Sequence, residues 1–509
     1  MKVRLATTTA ILSLALVALF FALGAFAGCR ADYGGVLGSG ASGNDFLATG
    51  RTSSFFQAVQ VDPQSEDSAG PQFVVASDLD SDGLLDLVSA WNQSQPVQIH
   101  LQRRIAGRIR FQTTTLSGNI PIVAVSGLAV SDFDQDGAPD IAVLLKQTLQ
   151  DGPACLGSEV PQDAEQSGMV LIYLAPVDAG QVNQALAWVE TPVGSSRLGG
   201  TSGDYSSPEV GGFTSMSVGD IDADGDSDIV VAWNSTCGGE DGTTDVLLFS
   251  NQGIAAVRDG NWAAESIPNP IPRGTAVKDV ALGDIDADGD LDIVATFPDA
   301  QSMNIRWFRN PTFDILDDFH ISDGTWQVGT VGQIATQADV IKVGDVDGDG
   351  LDDVVVRSTA GGIVQWLKGP GVQATTAPLP QLPWRVYTLA EFTTRTPQAL
   401  AIGDINSDGQ VEVVTSAGGG LLWLDPQAAP SVYDQWIAKI IIDDEPPGNS
   451  PATTDPNVSP SEAGAGTSIN SILVVDLDGD GENDVVATLD RTGLSGLSND
   501  ALVWFRNTR

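Results

Sequence analysis

One nine-residue pattern, D-x-D-x-D-G-x-x-D, occurs seven times in this chain and limits what it can fold into. The first two copies place their acids at Asp78, Asp80, Asp82, Asp86 and at Asp132, Asp134, Asp136, Asp140. The third and fourth use Asp220, Asp222, Asp224, Asp228 and Asp284, Asp286, Asp288, Asp292; the fifth uses Asp345, Asp347, Asp349, Asp353. In the sixth, Asp404, Asn406, Asp408 and Glu412, two positions carry other oxygen donors, and the seventh returns to Asp476, Asp478, Asp480 and Asp484. Four oxygen-bearing side chains this close repel one another unless a hard cation lies between them. Calcium takes six to eight oxygens in a flexible shell, and the glycine permits the sharp turn that converges them. Up to seven calcium ions are therefore expected, each shell completed by a loop carbonyl and water. Merely acidic turns would not keep the glycine in register. A helical EF-hand is excluded, because it needs a glutamate at loop position twelve, where the third and fifth copies have Val231 and Val356.

Four strands can be read around each loop. Strand A alternates and runs into the loop, and strand B is the β-branched run that leaves it, as in Asp353-Val-Val-Val. Strand C carries an aromatic residue at a set place: Tyr173, Trp307, Trp366, Trp423 and Trp504, with His100 and Leu248 in the other copies. His100 is thus expected to be a packing residue. Strand D shows an aromatic residue five positions before an aliphatic one: Phe111 to Leu116, Trp188 to Val193, Trp262 to Ile267, Trp384 to Leu389 and Trp436 to Ile441, with Leu316 to Ile321 as a degenerate copy. No strand D follows the seventh strand C, but a spare signature, Phe56 to Val61, precedes the first strand A. Residues 51 to 62 are expected to complete the last sheet beside Ala501 to Asn507. The reading is an all-β, seven-bladed β-propeller of four-stranded antiparallel blades, closed by its N-terminal strand, with a calcium loop in each A–B turn.

With loops and closure read in this way, residues 51 to 509 resemble the FG-GAP or VCBS repeat family, whose best-known member is the propeller of integrin alpha chains. The resemblance implies an integrin-like adhesion or binding role at a cell surface. Integrin propellers carry such loops in some blades only, whereas here every blade has one. The family's trailing Gly-Ala-Pro is largely lost, as in Val294-Ala-Thr-Phe-Pro298, so no particular ligand specificity carries over.

Net charge is −42, yet the seven loops hold 31 of the 66 acidic residues, and seven calcium ions would bring the balance to −28. A surface this acidic argues against nucleic acid, whose phosphates require Lys and Arg. Residues 1 to 28 read as a targeting segment, with Lys2 and Arg4 before an apolar run. Phe26-Ala27-Gly28-Cys29 resembles a bacterial lipoprotein signal, which implies lipidation of Cys29 and anchoring at the outer membrane or cell surface; an ordinary secretory signal cleaved nearby is the alternative. Residues 29 to 50, rich in Gly, Ser and Ala, read as a tether.

In such blades the B–C and D–A connections lie opposite the calcium turns, and the long irregular segments fall there: Gln147 to Gly168, Pro192 to Gly212, Asn234 to Asp245, Asp443 to Thr467 and Arg491 to Asn499. That face is the expected site for a protein or polysaccharide partner. Cys155 and Cys237, in neighbouring connections, could form a disulfide after export. A monomer is expected. With only His100 and His320, a histidine-assisted nucleophile is hard to assemble. A lyase or glycoside hydrolase remains the alternative, because carboxylate pairs have no set spacing, and Asp204, Glu209, Glu240 and Asp241 lie on the loop-rich face.

Overall fold

Strand B carries the fold, because it is apolar on both faces. In blades one, four, five and six it is buried at every residue (Asp86–Trp91, Asp292–Thr296, Asp353–Ser358, Glu412–Ala417). A strand of this kind must be covered on both sides, so each sheet needs a sheet before it and another after it. The computed structural model describes residues 51–52, 55–61, 70–91, 97–116, 124–148, 166–193, 211–235, 244–267, 277–297, 304–311, 326–332, 337–370, 384–392, 396–417, 420–426, 436–443, 468–490 and 501–509. The chain divides into two units, Met1–Gly40 and Ala41–Arg509, and every described residue belongs to the second. The leader and tether, Cys29, Cys155, Cys237, His320, Asp204, Glu209, Glu240 and Asp241 lie outside the described residues.

Among the described residues there are seven antiparallel sheets, six of four strands and one of five. Every strand B begins on the ninth residue of a loop: Asp86, Asp140, Asp228, Asp292, Asp353, Glu412 or Asp484. The seven A strands (Pro71–Ser77, Ala124–Ser131, Gly211–Gly219, Asp279–Gly283, Val340–Gly344, Pro397–Gly403, Ser468–Val475) touch one another in a cycle that returns from the last to the first. The apolar residues sort into seven clusters, each shared by two neighbouring sheets, including one that joins the seventh sheet to the first. The protein is a seven-bladed β-propeller.

Innermost strands approach so closely that glycine is required where four of them end. A Cβ on Gly219, Gly283, Gly344 or Gly403 would come within 2.2 to 2.8 Å of Leu291, Val343, Ile402 or Val474 in the next blade.

Closure follows the expected route with one correction. Phe56–Gln60 pairs antiparallel with Ala501–Asn507, from Phe56 opposite Asn507 to Gln60 opposite Val503. Residues 51 and 52 do not belong to this sheet: Arg51 lies opposite Asp443 and Thr52 opposite Ile442, adding a fifth strand to blade six. Fourth-blade strand D is Gln327–Gly332. Its signature is Trp326 to Val331, both buried, so Leu316 to Ile321, which lies outside the described residues, is not that strand. The place expected for the strand C aromatics also splits in two. Trp307, Trp366, Trp423, Trp504 and Leu248 lie opposite the second residue after the loop, whereas His100 and Tyr173 lie opposite the first. Side chains alternate along a strand, so Tyr173 packs toward the preceding blade and Trp504 toward the following one.

Phe56 is 5% exposed in the core between blades six and seven. Phe56→Ala should cost about 3–4 kcal/mol in denaturant unfolding. Deleting residues 51 to 62 should raise hydrogen exchange across Ala501–Asn507 far more than across Asp86–Trp91; a truncated chain that melts like the full one would refute closure by this strand.

Candidate metal centres

Each acidic loop folds around its first carboxylate. In loop one Asp78 accepts the N–H groups of Asp82 and Gly83 at 3.0 and 2.9 Å. The same pair recurs on Asp132, Asp220, Asp284, Asp345, Asp404 and Asp476, at 2.8 to 3.2 Å. Gathering two successive N–H groups onto one side chain drives the backbone left-handed at loop positions four and six. Position six has φ from 82° to 100° in all seven copies, and every copy has glycine there. Position four has φ near 55° at Ser81, Gln135, Ala223, Ala287 and Ser407, at a cost of about 1 kcal/mol each. Strain of this kind persists where surrounding structure imposes it, and it clusters at ligand sites.

The ninth-position carboxylate does a different task. One oxygen accepts the N–H of loop residue two, at 2.7 to 3.3 Å in all seven loops. In six blades the other oxygen accepts an N–H at the end of strand C, from Gln102, Ala175, Asn251, Asn310, Gly369 or Asn507, at 2.6 to 2.8 Å. In blade six the matching residue is Pro426, which has no N–H to give. There the longer Glu412 takes the Asn406 side-chain amide instead, so the two departures of the sixth loop occur together. Burial, reinforced by neighbouring carboxylates, pushes Asp86, Asp140, Asp353 and Asp484 up to about 7 and Asp228 and Glu412 up to about 8, against the backbone bonds that favour the ionised form. Asp292 is raised for the same reason.

Third-position aspartates supply the telling detail. The Oδ1 atoms of Asp80, Asp134, Asp222, Asp286, Asp347 and Asp478 are buried without a hydrogen-bond partner. Carboxylate oxygens from three loop residues converge within 4.8 Å, as for Asp78, Asp80 and Asp86 or for Asp284, Asp286 and Asp288. A buried carboxylate oxygen with no donor is costly. The same atom left bare in six loops is the donor set a hard dication accepts, so the residues present fit the ion expected from the sequence.

Side chains that the loop motif does not contain lie against its acids. Arg309 Nε lies 2.6 Å from the other oxygen of Asp286 and its Nη2 lies 2.9 Å from Asp288. Arg103 joins Asp80 and Asp82, Lys368 joins Asp347 and Asp349, and Arg506 joins Asp478 and Asp480. Loop two receives its cation from the next blade, where Arg258 on the helix Ile254–Asp259 lies 2.7 Å from Asp134. A signal for these residues exists in the sequence: Trp-Phe-Arg-Asn occurs at 307–310 and again at 504–507, and Trp-Leu-Lys-Gly at 366–369. Neighbouring loops are also tied together, since the side-chain amides of Asn251, Asn310 and Asn507 donate to the carbonyls of Phe133, Ile221 and Ile405 in the preceding blade.

His100 is wholly buried, its ring held between Ser89 Oγ (2.8 Å) and Thr113 Oγ1 (2.9 Å). Trp91 Nε1 donates to the same Ser89 oxygen, so indole, serine, imidazole and threonine form one buried hydrogen-bonded chain. Burial holds the His100 pKa down to about 3. Between that value and 6.5 the unfolded chain binds a proton that the folded chain refuses, so stability is lost as pH falls. His100→Gln should remove this loss, which amounts to about 2 kcal/mol by pH 5, as a flatter pH profile of the denaturant midpoint.

These features define a β-propeller whose blades carry acidic, convergent A–B loops. The FG-GAP-like repeat family model matches residues 78–143 and 345–415, both stretches opening on the first aspartate of a loop, so the chain carries FG-GAP-like repeats within a seven-bladed β-propeller. No curated protein matches its sequence. Among solved structures it is similar to BBS1N in complex with ARL6DN, at 12% identity over 89% of this chain and 97% of that one, with a TM-score of 0.48. An Agrocybe aegerita lectin that recognises non-reducing terminal N-acetylglucosamine is similar at 16% identity over 85% of this chain and 93% of that one, with a TM-score of 0.44. At these identities neither likeness speaks to what this chain binds.

Proposed function

We propose that this chain is a calcium-stabilised, membrane-anchored, extracytoplasmic binding and adhesion module that recognises a protein or a glycan on the loop face opposite its metal loops. The observation that carries the metal is the bare, buried Oδ1 atom at the third position of six loops. Asp78, Asp80, Asp82 and Asp86 would hold one ion, and the corresponding residues of the other loops would hold the rest. The ion supplies the positive charge that lets buried carboxylates remain ionised side by side. Partner recognition is supported by topology: with A–B turns at one end of every blade, the described strands B and D end, and strands C and A begin, at the other end of the ring; the long B–C and D–A segments that join them lie outside the described residues. Cys29 and the apolar run before it support the lipid anchor.

Chelation should lower the melting temperature on the order of 10 °C or more, with calcium restoring it much better than magnesium, which demands a rigid octahedral shell. Asp286→Ala should cause only part of that fall; a melting temperature indifferent to chelator would remove the metal from this reading. On glycan and surface-protein arrays the module should retain a ligand unaltered, whereas release of reducing ends or unsaturated sugars would identify a polysaccharide-processing enzyme. Cys29→Ser should move the protein from the membrane fraction to the soluble exported one, and a wild-type protein already soluble with a free thiol would refute anchoring.

A further inference from the structure

Counter-charge is distributed unevenly among the seven loops. Loops one, two, four, five and seven each hold a lysine or arginine head group against the third- and fifth-position carboxylates. Loop six needs less, because Asn406 replaces one acid and is hydrogen-bonded to Glu412. Loop three has neither relief. It contains Asp220, Asp222, Asp224, Asp226 and Asp228, and among the described residues no lysine or arginine contacts any of them.

Register shows how this came about. Phe249, Phe308, Leu367 and Phe505 occupy equivalent places on strand C, each opposite the first residue after its loop. The next residue is Arg309, Lys368 or Arg506 in blades four, five and seven, but Ser250 in blade three. The arginine that blade three does carry near this end, Arg258, is turned onto Asp134 of blade two.

We infer that the seven loops are unequal metal sites: resident cations make five of them partly self-sufficient, and loop three is the tightest calcium site and the one whose blade depends most on the ion. The inference rests on the calcium reading above. A fixed positive charge about 5 Å from a dication weakens its binding about tenfold even in a water-like dielectric. The same charge also steadies the metal-free loop, so both effects widen the gap between loop three and those five, while loop six falls below it because Asn406 removes a ligand charge.

The test is a calorimetric calcium titration of the full chain after chelator stripping, paired with melting in chelator. One site should bind at least about tenfold tighter than the others. It should vanish in Asp222→Asn and persist in Asp286→Asn. Ser250→Arg supplies the missing cation and should weaken that site about tenfold while raising the melting temperature in chelator; it gives a reading even where Asp222→Asn fails to fold. A single uniform class of sites, a tight site that survives Asp222→Asn, or Ser250→Arg leaving both measurements unchanged would overturn the inference while calcium binding stands. Absence of calcium binding at any loop would instead overturn the calcium reading and this inference together.

Discussion

The carboxylate that opens each strand B is the interaction on which the rest depends. It accepts one N–H from the A–B loop and, in six blades, another from the end of strand C, so one buried group fixes three strands at the end of the blade. Exposed turns of this acidity would ordinarily fray. Here the turn is held from inside, and the strained backbone at positions four and six is held with it. Hydrogen bonds to a charged acceptor contribute more than neutral ones, and burial makes removing that acceptor costly.

Holding charge in the interior creates the problem that the remaining side chains address. Each loop crowds several acids into nine residues, and the neighbourhood answers with arginine, lysine or an amide, or leaves a buried oxygen without a donor. Blade six shows that the parts change as a set: Pro426 withdraws a donor, Glu412 extends its reach, and Asn406 replaces an acid and supplies the missing proton. The repeat is therefore conserved as an arrangement of partners and not as a string of letters.

Much of this was legible in the chain itself. Loops, strand B and closure at Phe56 rest on local patterns, an acidic motif with glycine in register and β-branched runs, and these do not depend on distant context. Strand D of blade four was misplaced because Leu316 to Ile321 has the same spacing as the true pair, Trp326 to Val331, and spacing alone cannot rank two candidates. The pairing of Arg51 and Thr52 with blade six is a two-residue backbone pairing, too short for any sequence pattern to announce it. Sequence spacing puts His100 and Tyr173 at the same place on strand C as the tryptophans, yet register puts them one residue away. Arg258 was hidden for another reason: its partner, Asp134, is 124 residues away in the preceding blade.

Ring closure also has a consequence in time. Thr508 is bonded to Phe55, 453 residues earlier, so the strand that seals the seventh blade is among the first parts of the ring to be synthesised. At about 5–20 residues per second, roughly half a minute to a minute and a half passes before its partner exists. During that interval Phe56–Gln60 is a strand without a sheet, and the incipient ring has two open edges. A fold assembled from contacts this distant in sequence should form slowly. Once sealed, the first and last strands of the ring share one sheet, so neither can leave without breaking its pairing with the other.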